Sequence, residues 1–516
     1  MRIIDFFDQG AALYPDNVAF EDAAGLYSYR EACEQTHGIA SALACNQFGK
    51  GTHVGILAPN SCIAYIALLG VFRVGAVWIP INPRNPVAVN ADLLDRFDGD
   101  LLLYHHLYQR EAKEIVAQVP TLRAVCIDGE SHFESSLPEW ISEADGYFPP
   151  VDHTPDDTLA IFPTGGTTGP SKGVVITHRC TTTSFANFYA HFHYYDNTRH
   201  LVVAPMTHSA GVLGCLHFAR GGTNVIMANV DPGGILQAIQ EHGITHLFVP
   251  PTLLYMMLAH PDVERYDYNS LQHFLVGAAP TSLDKLKRAI KVFGPVLTES
   301  YGQTETPSIV TAKAPWDYLD AKGNIIESRL KSIGRPAVFN QVAIVDDQVN
   351  PVETGVAGEI AVRGELVTPG YYKNPEATAE VRKRGWHLTG DVGVMDDEGF
   401  ITIVDRKKDM IITGGFNVFP NEVEQVLSAH AAVQDCAVFG IPDEKWGEAV
   451  IAVVQLKPDR EATEAELIDM VRQQLGSVKA PKTVELRDDL PRSPNGKVLK
   501  IELRKTYWRG RDRAVN

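Results

Sequence analysis

The chain has 516 residues, 45% of them hydrophobic and 21% charged, and its 46 basic and 63 acidic residues leave a formal net charge of −17. This length is enough for several domains with ample core. The acidic balance excludes nucleic acid or an anionic membrane as the main partner, while permitting a local basic site for phosphates. The 7 cysteines are scattered, with no C-x-x-C pair. They read as reduced thiols and set the expectation of a cytoplasmic protein.

Acids interrupt the apolar residues of 1–8, so the start of the chain does not read as a signal peptide. Residues 54–72 carry no charge and approach the ~20 residues of a membrane helix. Pro59-Asn60-Ser61 breaks the run. It predicts a strand (54–58), a turn and a buried helix (62–73), with no transmembrane segment. Strands at 54–57, 76–81 and 101–104 alternate with helical patterns, which suggests α/β layers over 1–150. Residues 152–157 form a polar link.

The link leads to Thr164-Gly165-Gly166-Thr167-Thr168-Gly169-Pro170-Ser171-Lys172-Gly173, between apolar runs at 159–162 and 174–177. Glycines let backbone N–H groups converge on an anion, hydroxyls add donors, and Lys172 adds charge. The loop lacks Walker A spacing. Gly169 to Gly173 satisfies G-x-S-x-G, but a hydrolase elbow must open a helix, and strand character follows here. A flexible surface turn is the third reading.

Further strands end at characteristic side chains, where open parallel sheets bind ligands. The 201–204 strand precedes Pro205-Met206-Thr207-His208, and the 274–276 strand precedes Gly277-Ala278-Ala279. The 296–298 strand precedes Glu299-Ser300-Tyr301-Gly302-Gln303-Thr304-Glu305. Glu305 is a magnesium-ligand candidate. Residues 331–404 predict a small all-β unit, in which Trp386-His387-Leu388-Thr389-Gly390 places Asp391 on a turn, able to accept ribose hydroxyls. The charged run Asp405-Arg406-Lys407-Lys408-Asp409 marks a domain boundary. Beyond it, Pro420 predicts a helix start, and Thr463-Glu464-Ala465-Glu466 is a capping box opening a helix to about 475. Near the end, Pro494-Asn495-Gly496 makes a turn presenting Lys497.

In this order, and over nearly the whole chain, these segments resemble the adenylate-forming (AMP-binding) superfamily of acyl-CoA synthetases, luciferases and adenylation domains. The glycine loop resembles its phosphate-binding signature. The segments from Tyr301 to Glu305, Thr389 to Asp391, Asp405 to Lys408 and Asn495 to Lys497 resemble the later signatures. Between them fit Ser332-Ile333-Gly334-Arg335-Pro336, the run from Gly358 to Gly364, and Gly370-Tyr371-Tyr372-Lys373-Asn374-Pro375. The resemblance implies an α/β fold with a large N-terminal domain (1–405) of layered α/β subdomains. Its β-rich, barrel-like part spans about 331–405. A hinge at 406–408 and a small mobile α+β C-terminal domain (409–516) complete it.

The resemblance also implies a two-step reaction: a carboxylate attacks the α-phosphate of ATP, and a thiol then displaces AMP. In it, Thr164, Gly165, Gly166, Thr167, Thr168, Gly169 and Lys172 hold the β- and γ-phosphates. Thr304 touches the α-phosphate and Glu305 binds Mg²⁺. Tyr301, with Gly302 and Gln303, lies at the adenine, with Gly277, Ala278 and Ala279 along its edge. Asp391 binds the ribose with Arg406 close by. Lys497 bridges the carboxylate and α-phosphate oxygens. The C-terminal domain turns about Lys408, withdrawing Lys497 and presenting Gly414, Gly415, Phe416 and Asn417 to the pantetheine of CoA. Trp446 matches a tryptophan that stacks on the CoA adenine in some aryl-CoA ligases. Gly165 replaces a frequent serine, Ser171 a usual proline, and Val478 and Ala480 a phenylalanine and an arginine of those ligases.

His208 resembles the histidine at the acyl-pocket mouth. Small residues around it, Ser209, Ala210, Gly211, Val212 and Gly277, favour a medium- or long-chain fatty or aryl-alkyl monocarboxylic acid. The expected partners are that acid, ATP and CoA, with a homodimer left open as the assembly. Transfer of the acyl group to a carrier protein or another acceptor is the alternative, and no carrier domain is expected after Asn516.

Overall fold

The computed structural model describes residues 1–129, 135–164, 171–194, 197–207, 209–279, 281–492 and 498–508. The chain divides into two compact units: among the described residues the first takes 1–164, 171–341 and 363–380, the second 342–362 and 381–508.

The first unit is built on two large sheets. One has a parallel centre, in which His53–Leu57 pairs with Val77–Pro80 and Leu101–Tyr104. Leu101–Tyr104 is buried throughout, as suits a parallel strand covered on both faces. The uncharged stretch folds as expected, with helix Cys62–Val74 after the turn. Ser61 Oγ accepts the Ala64 N–H, and Gly75 (φ 80°) ends the helix. No helix among the described residues is long and apolar enough to cross a membrane. The strands Thr158–Pro163 and Gly173–Thr177 flank the glycine loop and pair antiparallel. Helix His178–His191 starts only after the second of them. Ser171 therefore does not sit on a strand-to-helix elbow.

In the other sheet, Arg199–Val202, His246–Val249, His273–Val276 and Leu297–Gln303 run parallel. One expectation needs correction here. The last of these strands does not stop at Thr298. It runs to Gln303 and turns through Thr304 and Glu305 into Thr306–Lys313. The polar sequence Glu299 to Gln303 shows no apolar alternation. Its strand conformation comes from pairing with the well-buried Ile309–Ala312 stretch, a tertiary effect stronger than local propensity.

The second unit carries two five-stranded sheets. The all-β one holds Gly358–Arg363, Trp386–Met395 and Ile401–Arg406. Asp391 lies within Trp386–Met395 rather than on a turn. Gly390, with φ 72°, gives the local distortion that looked like one. In the α+β part, Pro420 opens helix Pro420–Ser428. Thr463 caps Glu464–Lys479, whose helical backbone breaks at Gly476 (φ 83°). Val423, Val438, Val454 and Leu467 fill the core between these helices and their sheet.

Candidate functional site

In the first unit the neck of the glycine loop is closed from both sides. The Thr164 N–H donates to the Lys172 carbonyl at 2.8 Å, and the Lys172 N–H donates to Thr164 Oγ1 at 3.1 Å. Gly165, Gly166, Thr167, Thr168 and Gly169 lie outside the described residues. Lys172 Nζ stands 4.9 Å from the ring centroid of Tyr371. The Tyr371 hydroxyl in turn donates to Glu305 Oε1 at 2.7 Å. Thr368 donates its N–H (3.1 Å) and its hydroxyl (3.0 Å) to the Glu305 carbonyl. Tyr371 thus joins the loop neck to the hairpin tip. The sequence places it in the Gly370–Pro375 segment without indicating a role for it. Its partner Glu305 is 66 residues away, so only the fold reveals the contact.

The hairpin itself is anchored at its base. Glu299 faces Lys313 across the ladder, and Lys313, wholly buried, holds the Glu299 carboxylate at 2.5 Å. Two residues on, Tyr301 faces Thr311. Gly302 has no room for a side chain: a Cβ there would meet the Ser308 backbone at 2.7 Å. Gly277 follows the neighbouring strand, and a Cβ on it would sit 3.5 Å from the Ser300 carbonyl and 3.7 Å from the Phe248 ring. Ala278 takes φ 69°, a conformation a β-branched residue would resist, and both Ala278 and Ala279 are exposed.

His208 lies outside the described residues. Ser209–Gly214 is a short helix, on which Ala210 is buried and Val212 half-buried. Gly211 is small for a packing reason, because a Cβ would meet the Met206 carbonyl oxygen at 2.1 Å. Its smallness therefore adds no room for a ligand. Glu305 offers a carboxylate at a turn with one oxygen fixed by Tyr371. Mg²⁺ keeps several waters and takes one or two carboxylates besides substrate phosphates, so this donor set fits a Mg²⁺ shared with a polyphosphate.

In the second unit, Asp391 and Arg406 are cross-strand partners, with Arg406 Nε 3.3 Å from Asp391 Oδ1. Asp391 is buried and Arg406 exposed. Lys407 is engaged with Asp347 at 2.8 Å and Glu359 at 3.1 Å. Lys408 is exposed, and partial desolvation at its ammonium, with Arg406 nearby, holds it below the ordinary range. Burial also pushes the Asp405 carboxyl up to about 6.

The two segments expected at CoA come together. The Gly414 N–H donates to the Trp446 carbonyl at 2.8 Å, and a Cβ on Gly414 would meet the indole at 2.7 Å. Gly414 and Gly415 both take positive φ. Trp446 and Phe416 are exposed. Lys445 and Lys482 place ammonium groups 4.8 and 5.8 Å from the Trp446 ring centroid. Neither lysine was singled out in the sequence. Val478 is exposed and Ala480 buried. Lys497 lies outside the described residues.

The family resemblance is borne out by comparison with known proteins. The model of the AMP-binding enzyme family matches residues 7–372, and that of the AMP-binding enzyme C-terminal domain matches residues 422–497. The chain belongs to this family, the acyl-CoA synthetases of the adenylate-forming superfamily. It is similar to the medium/long-chain-fatty-acid–CoA ligase FadD8 of Mycobacterium tuberculosis, at 37% identity over 90% of this chain and 83% of that one. It is also similar to a feruloyl-CoA synthase of Amycolatopsis, at 32% identity over 96% and 97% of the two chains. Among solved structures, the amide bond synthetase McbA from Marinactinospora thermotolerans matches with a TM-score of 0.87 and 27% identity, over 98% of this chain and 100% of that one.

Proposed function

We propose that the protein is an ATP-dependent carboxylic acid–CoA ligase acting on a medium- or long-chain fatty or aryl-alkyl monocarboxylic acid. The carboxylate attacks the α-phosphate of ATP with loss of pyrophosphate, and the CoA thiol then displaces AMP. The observation that carries this reading is the convergence of Lys172 and Glu305 on Tyr371. An ammonium and a carboxylate able to hold Mg²⁺, fixed to one side chain, suit a polyphosphate, whose transfer needs positioning and charge neutralisation. Bound there, the ion would neutralise phosphate charge. Lys172 and Thr164 orient the outer phosphates, Thr304 the α-phosphate, Tyr301 the adenine and Asp391 the ribose. Lys497 stabilises the charge that develops during attack. The C-terminal part, beyond a hinge at 406–408 centred on Lys408, serves both half-reactions. Trp446 with Lys445 and Lys482 supports CoA as the acceptor, since an aromatic face flanked by cations suits an adenine carrying phosphates. The free state of all seven cysteines supports a reducing, cytoplasmic setting.

The test is AMP formation from ATP and Mg²⁺ across a panel of acids, with and without CoA. Release that requires both acid and CoA is the expected result. Acid-dependent pyrophosphate release indifferent to CoA would instead favour another acceptor, as with the amide bond synthetase. Lys497→Ala is expected to slow adenylation roughly 10²–10³-fold, the usual cost of removing one group that stabilises developing charge, without moving the melting temperature. Trp446→Ala is expected to raise KM for CoA roughly tenfold or more, a lost base–aromatic stack. Acid-dependent ATP–pyrophosphate exchange should stay unchanged in that variant.

A further inference from the structure

Deeper in the first unit, on the sheet face below Gly277, the strand register sets imidazoles in a row. His200, His246 and His273 are side by side on three adjacent parallel strands. Phe248 and Leu275 form the next row towards the carboxyl ends, because residues two apart on a strand share a face. His217 stacks on His200, with ring centroids 4.7 Å apart and planes 19° from parallel. All four histidines are buried. Together with apolar side chains such as Phe248 and Leu213 they line a cavity of about 30 Å³. That is room for roughly two water-sized groups.

Burial holds these rings neutral, His200 and His273 at about 4, so the cavity offers no cation to a second carboxylate. A neutral imidazole has one donor and one acceptor. Both are used in His273: Nε2 accepts the His193 N–H at 3.2 Å and Nδ1 meets Thr298 Oγ1 at 3.1 Å. His200 donates from Nδ1 to Asn224 Oδ1 at 3.0 Å, since the Asn224 amide nitrogen is committed to the Gly214 carbonyl at 3.2 Å. Its Nε2 is left as an acceptor. His246 meets Thr245 Oγ1 through Nδ1 at 2.8 Å, and its Nε2 is buried with no well-formed hydrogen bond, the His193 backbone being a polar group close to the ring.

We propose that this cavity reads the far end of the acid and takes a hydroxyl in preference to a methyl, making ω-hydroxy monocarboxylic acids the favoured substrate class. The proposal rests on the ligase reading. A methyl group there leaves the buried His246 Nε2 unmet, whereas a hydroxyl can donate to it. At roughly 3.3 Å per residue, the row at His273 lies roughly 13 Å below Gly277, the reach of an extended acid of roughly ten carbons.

The experiment measures kcat/KM for CoA-dependent AMP release by the full-length protein. The substrates are straight-chain acids from hexanoate to tetradecanoate, each beside its ω-hydroxy counterpart. A preference for the hydroxy acid of roughly tenfold or more, greatest near decanoate, is expected. The ratio should fall to unity in His246→Phe and in His200→Phe. AMP release with no pair separating at any length means the cavity holds only water and overturns the proposal, whether or not the variants fold. If no acid releases AMP, the ligase reading falls with it.

Discussion

Between pH 7.5 and pH 5 the protein is expected to lose most of its thermal stability. His178, His200 and His273 are pushed down to about 4 by burial. His217 and His246, also through burial first and then through neighbouring imidazoles, lie well below the ordinary value. In the unfolded chain each would titrate near 6.5. Above that pH both states are neutral and these groups contribute no pH dependence. As pH falls from 6.5 towards 4 the unfolded chain takes up protons that the folded one refuses, so stability falls with pH. The loss is roughly 2 kcal/mol at pH 5 for each of His178, His200 and His273, and His217 and His246 act in the same direction. Three such groups already rival the lower end of the roughly 5–15 kcal/mol that typically holds a domain. Asp405 works in the opposite direction. Its raised carboxyl, at about 6, stabilises the fold in acid and loses that contribution as pH rises through 6, but it is a single group. Calorimetric melts across this range decide the matter. A melting temperature that stays level from pH 7.5 to 5 would show that the histidines are hydrated in solution, and His273→Gln should reduce the dependence by one group's share.

The same histidines show what the sequence carried and what went unread. His246-Leu247 and His273-Phe274 each open an apolar strand, and His200-Leu201 follows Arg199 at the start of another. The repeat was visible once those strands were recognised, but only the parallel register aligns the rings. Central strands such as Leu101–Tyr104 were legible because burial on both faces makes them continuously apolar. The hairpin through Tyr301 was not, because its first strand is polar beyond Thr298 and takes its conformation from the partner strand. Asp391 was mistaken for a turn residue because Gly390 precedes it, although the strand continues to Met395. Tyr371 could be quoted but not interpreted, since its meaning lies in Lys172 and Glu305, both remote in sequence.

Lys313→Met is expected to destabilise the protein by about 3–5 kcal/mol, the range for breaking a buried ion pair from one side. Lys313 has no exposed surface and lies 2.5 Å from Glu299. Its ammonium also donates to the carbonyls of Ser332 at 2.6 Å and Arg329 at 2.9 Å, and it stands 4.6 Å from the Tyr318 ring centroid, the hydroxyl of that tyrosine donating to Glu299. Removing the cation leaves a largely buried carboxylate facing a thioether, with the backbone carbonyls of Arg329, Leu330 and Ser332 released. The strain falls on the strand that carries Tyr301 two residues later, on the same face. A rise in KM for ATP should therefore accompany the lower melting temperature. Adding Glu299→Gln removes the uncompensated charge, and the double variant should regain much of the lost stability, a coupling that a double-mutant cycle measures directly. If the stability losses of the two single variants simply add, Lys313 acts by packing alone. If they cancel in part, the ion pair is what fixes the base of the hairpin and, through it, the proposed adenine platform.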